Sequence, residues 1–204
     1  MIGSIQHNGL NSLSVKRPFC NPPSQRYTSP MTDAPTPTNA TLTTTLDQLG
    51  VHFIAGQPDT DPEIAESPAD LLRGLASSDE ARLRLALIPL FLKRPEYALH
   101  IENALIGLSP TAQHFLRCYY TAAQLLQQNH YQALTEFFGN LAILPSLFED
   151  SLNLDSSESP DMRLHQLAKE QARLTGKPLN WFGTYEHAFK RLVQHTRRRL
   201  QWQD

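Results

Sequence analysis

Arg94 and His100 form the pair in this chain whose types and spacing best fit catalysis, an Arg-x5-His within RLALIPLFLKRPEYALH (84–100). Imidazole titrates near neutrality and can move a proton, and a guanidinium steadies charge developing at phosphorus. The pair therefore suits metal-free cleavage of RNA through its 2′-hydroxyl. The competing reading is structural, with Arg94 capping a helix end and His100 partly exposed. A second cluster closes the chain, RLVQHTRRRLQWQD, where Arg197, Arg198 and Arg199 stand near Trp202. Such a cluster can grip phosphates and stack a base, dock an acidic protein surface, or complement the negative end of its own helix. Trp181, in NWFGTYEHAFKRL, is a large anchor for either the core or a partner. His187 and His195 lie two turns apart, but Arg191 puts a cation between them, and no His-x3-His completed by a carboxylate occurs. No metal or other cofactor is expected. GxGxxG, GxxxxGK[ST], HExxH and GxSxG are absent, and Thr175-Gly176-Lys177 reads as a glycine helix stop rather than a phosphate loop.

The elements that must position these residues read as helices. Ser67-Pro68, Ser109-Pro110 and Ser159-Pro160 each set a capping hydroxyl before a proline, whose missing N–H costs nothing at the first helical position. Ser78-Asp79-Glu80 is another start, and Pro95 opens a further helix. Gly107, Asn129, Gly139-Asn140 and Gly176 read as stops. Ala112, Phe115, Leu116, Tyr119, Ala122, Ala123 and Leu126 make one apolar stripe, with Gln113, Arg117, Gln124, Gln127 and Gln128 off it. Phe182, Tyr185, Ala188, Phe189, Leu192, Val193, Thr196 and Leu200 make another. Alternating β-branched runs are missing. The expectation is an all-α fold: about seven helices in antiparallel hairpins, as a compact bundle or short helical stack, behind a disordered N-terminal tail. Leu85–Leu92 is uncharged over eight residues, too short to span a membrane. It reads as a buried central helix, kinked at Pro89 or ending at Ile88.

The 204-residue chain suits one domain. Residues 1–40 are rich in Pro, Thr, Ser and Asn and are assigned as a disordered tail. Residues 41–66 are assigned as a partly ordered linker and 67–204 as the helical domain. The basic, serine-containing start resembles an organellar transit peptide. Met31 is an alternative start that would leave 1–30 untranslated. The two cysteines, Cys20 and Cys118, fit a reducing compartment, and a cytoplasmic location is expected, with an organelle as the alternative. The net charge of −2 is unevenly spread, with nine Lys/Arg against three acids over 163–204.

The Arg-x5-His pair resembles the motif of HEPN-type helical ribonucleases. It departs from that pattern through Pro95 and through its mid-chain position. LAILPSLFEDSLNL (141–154) and KPLNWFGTYEHAFKRL (177–192), with ARLRLALIPLFLKRPEYA and HFLRCYYTAAQLLQ, resemble an uncharacterised small all-helical bacterial family often encoded beside minimal nucleotidyltransferase proteins. The resemblance covers about 69–192 and carries no catalytic residue. It implies a non-enzymatic interaction protein, a partner or antitoxin-like regulator of a nucleotidyltransferase. The HEPN-like ribonuclease is the first alternative, and nucleic-acid binding through the basic C-terminal helix is the second. No membrane is expected among the partners, and self-association is left open.

Overall fold

The structure, a computed structural model, describes residues 37–52 and 67–201. Its helices are α1 (Asn39–Gln48), α2 (Pro68–Ser77), α3 (Ala81–Leu85), α4 (Leu87–Lys93), α5 (Ile101–Leu105), α6 (Pro110–Asn129), α7 (Tyr131–Phe138), α8 (Pro160–Thr175) and α9 (Trp181–Gln201). Short 3₁₀ turns cover Pro95–His100 and Asp150–Leu152. No strand occurs among the described residues, so the all-α expectation is met. No helix among them is long and apolar enough to cross a membrane.

The serine starts work as the chemistry requires. The hydroxyls of Ser67, Ser109 and Ser159 accept from the backbone N–H of Asp70, Ala112 and Met162, at 3.2, 3.2 and 3.3 Å. Each satisfies one of the otherwise orphaned donors of a helix N-terminus. Asn180 caps α9 in the same way, its Oδ1 accepting from Gly183 N at 2.9 Å. A Cβ on Gly183 would stand 2.7 Å from the Asn180 side chain, so this glycine leaves room for the cap.

The domain begins earlier than its composition suggests. Within the span 41–66 assigned as a partly ordered linker, α1 is a core helix, its Leu42 and Leu46 1% exposed, while 53–66 lie outside the described residues. The Thr-rich run TLTTTLD hides a helix because its buried face holds only two leucines, spaced i,i+4, beside the buried threonines Thr41 and Thr45. Thr38 caps its start. At its end Gly50 N bonds Asp47 O and Val51 N bonds Leu46 O, each at 2.8 Å. Gly50 has φ +71°, and Val51 and Leu46 are both buried. Together these make a Schellman stop with its hydrophobic contact.

α6 is the hub of the fold and contacts α2, α3, α4, α7, α8 and α9. Every side chain from Cys118 to Gln127 is buried. Gln124 and Gln127 therefore do not face water, as the stripe implies. They hold the non-helical stretch 141–149, which runs beside α6. Gln127 donates to Ala142 O (3.0 Å) and accepts from Leu144 N (2.8 Å). Gln124 donates to Glu149 Oε1 (2.6 Å), and Tyr120 OH donates to Pro145 O (2.7 Å). Arg163 of α8 closes the network, donating to Glu149 Oε2 (2.5 Å) and Gln128 Oε1 (2.8 Å). Most of these polar groups are buried and tolerated because they find partners, although Gln124 Oε1 and Arg163 Nε have none.

The apolar run around Pro89 is buried as expected, but its break falls elsewhere. α3 ends at Leu85 and α4 starts at Leu87. Pro89 thus occupies the first turn of α4, where its N–H would have no intrahelical partner, and the interruption falls at Ala86 rather than at Ile88. Pro89→Ala should therefore not stabilise the protein as removal of a mid-helix proline would. A loss of about 1 kcal/mol from reduced ring packing is expected, to be read as a lower urea midpoint. A gain of 1 kcal/mol or more would show that Pro89 strains the helix.

Candidate functional site

The end of α1, the end of α4, α7 and the last turns of α9 enclose a cleft of about 250 Å³. Schellman geometry turns the chain at Gly50 and delivers Val51 and His52 to one wall. Pro89 and Lys93, four residues apart, face it from α4. Phe137 and Phe138 come from α7. α9 supplies Leu192, His195, Thr196, Arg199 and Leu200, the i, i+3, i+4, i+7, i+8 spacing of one helix face. Four nitrogen bases converge here, and no Asp or Glu lines the cleft among the described residues.

The bases are held in defined roles. Lys93 Nζ donates to Gly50 O at 2.6 Å. A Cβ on Gly50 would lie 2.4 Å from Lys93 Nζ and 3.8 Å from Arg199 Nη1, so both cations border the space a side chain would fill. Burial, then Arg199 and Arg94, hold the Lys93 ammonium below the usual lysine range. His52 bonds the Asp47 carboxylate through Nδ1 and faces the Arg199 guanidinium with Nε2. The His195 ring stacks on His52, centroids 5.4 Å apart. Partial burial, then His52 and the arginines Arg198, Arg199 and Arg191, lower the His195 pKa.

The residues singled out by sequence are distributed as follows. Arg199 lines the cleft. Arg197 lays its guanidinium over the Phe137 ring at 5.2 Å, and Arg198 is exposed beside it. Trp202 lies outside the described residues. Trp181, proposed as an anchor for the core or a partner, is only 8% exposed and sits in the core, where its Nε1–H has no hydrogen-bond partner; it presents little surface to another molecule. Arg94 faces Glu96 at 3.8 Å, and the His100 ring lies edge-on to Tyr97 at 6.4 Å. Neither lines this cleft or the open hollow around His130 and Glu186. On a 3₁₀ turn six residues advance about 12 Å, a wide span for two groups that must share one phosphate.

Sequence reasoning missed His52, Lys93 and His195, although the glycine at 50 between Leu46 and Val51 signals the turn that brings them in. Cys118 and His114 (Sγ to Nε2 3.2 Å) resemble a catalytic pair. Burial raises the Cys118 thiol and lowers the His114 imidazole. Both neutral forms are thereby favoured, the opposite of a reactive thiolate–imidazolium pair. Among the described residues no three of His, Cys, Asp and Glu are grouped to hold a metal ion. No protein-family model, no curated protein and no solved structure matches this chain.

Proposed function

We propose that the chain is a non-enzymatic helical interaction protein whose basic C-terminal end docks on an acidic surface of a protein partner. The observation that carries the reading is the exposure of Arg197, Arg198 and Arg199 together on the last turns of α9. They lie at the end where Lys93 also faces the cleft. Like charges gathered without lining carboxylates create a positive field that steers an acidic partner and fixes its orientation. The resemblance described above makes a minimal nucleotidyltransferase the partner to test first.

In co-expression with that nucleotidyltransferase, the wild-type chain is expected to co-purify with it, and Arg197→Glu/Arg198→Glu to recover at least tenfold less. Both side chains are exposed, so the fold should survive the change. Recovery of this chain alone, or equal recovery with the variant, would remove the reading. A complex that dissolves on nuclease treatment would move it to nucleic acid, whose affinity falls steeply with salt.

A further inference from the structure

The cleft beside α9 contains more than a basic surface needs. Lys93 and Arg199 both approach Gly50, within 4 Å of where a Cβ would stand. Two cations held this way repel each other unless an anion joins them. Each also has donors to spare: an ammonium has three and one goes to Gly50 O, and a guanidinium has five and one goes to His52. Val51, Pro89, Phe137, Phe138 and Leu192 give the wall an apolar part, beside the two imidazoles of His52 and His195 and the Thr196 hydroxyl. The pattern of an apolar slot with a few convergent polar groups is that of a small-molecule site. A volume of about 250 Å³ lies just below the usual range of such sites. It accommodates one ring and one anionic head.

We infer that this cleft binds a small molecule carrying a phosphate group on an apolar, ring-sized body, the phosphate lying between Lys93 and Arg199 and the ring against Phe137 and Phe138. A dianion matches two fixed cations better than a carboxylate does. Arg199 presents the planar fork that suits phosphate oxygens. The inference shares Arg199 and Lys93 with the partner reading, whereas Arg198 does not line the cleft.

The test is calorimetric titration of the full chain with phenyl phosphate, inorganic phosphate and benzoate. Phenyl phosphate is expected to bind saturably in the sub-millimolar range, at least tenfold tighter than either of the others. Lys93→Gln and Arg199→Gln should each weaken it at least tenfold, with circular dichroism confirming that both variants are folded. Arg199 is exposed, so its variant serves even if Lys93→Gln disturbs the turn at Gly50. Absence of saturable binding, equal binding of inorganic phosphate, or binding unchanged in Arg199→Gln would each overturn the inference. Phenyl phosphate binding retained by Arg198→Glu while recovery of the protein partner falls would separate the two sites.

Discussion

Replacing Glu149 with leucine is expected to destabilise the protein by about 3–5 kcal/mol. The carboxylate is 6% exposed and takes hydrogen bonds from Gln124 Nε2 at 2.6 Å and Arg163 Nη1 at 2.5 Å. Its removal leaves the Arg163 guanidinium, itself largely shielded, without its counter-charge, and takes the acceptor from a fully enclosed amide. Uncompensated groups of this kind cost far more than the pair contributes when intact. Differential scanning calorimetry should show a fall in Tm on the order of 10 °C. Glu149→Leu/Arg163→Met, which removes both charges, should recover at least half of the loss. A single variant within 1 kcal/mol of wild type would mean that 141–149 is held by its apolar contacts alone.

Truncating Phe91 to alanine should have a comparable effect, about 3–5 kcal/mol in urea unfolding. The ring is wholly buried in α4 and meets the Tyr120 ring edge to face, centroids 5.0 Å apart. Tyr120 in turn meets Phe148 at 5.7 Å, so one aromatic row joins α4, α6 and the 141–149 stretch. Removing Phe91 leaves a cavity at the junction of the two elements that build the core. In a double-mutant cycle, Phe91→Ala and Tyr120→Ala should couple by about 0.5–1.5 kcal/mol beyond additivity. Strict additivity would show that the rings fill space independently.

The local signals in this sequence were reliable and the distant ones were not. A serine before a proline determines its own surroundings within three residues, so the caps at Ser67, Ser109 and Ser159 could be read directly. Gly107, Gly139 and Gly176 all adopt positive φ, as expected of helix stops. α1 escaped because six successive threonine and leucine positions (41–46) resemble a low-complexity linker, and its burial depends on α2 and α3. Gln124 and Gln127 were read as solvent-facing because periodicity ranks residues by polarity. Their partners, Glu149 and the 142–144 backbone, lie 15 to 25 residues further on. The cleft is the extreme case. His52 and Arg199 touch across 147 residues, and no spacing rule brings them together. Of its four bases only Arg199 was legible as part of a candidate site, from its neighbours in the RRR run.

The polar grip on 141–149 also determines how α6 can be threaded. Tyr120, Gln124 and Gln127 follow one another at i, i+4 and i+7, a single line along the helix. Their partners are fixed points on the neighbouring stretch. Rotating α6 by one residue would swing all three away by about 100° at once and bring groups of other shape and polarity into their places. An all-leucine seam would accept several such rotations at similar energy. This line of one phenol and two amides makes a single setting of the central helix distinguishable from its neighbours, as the notches of a key do for the pins of a lock.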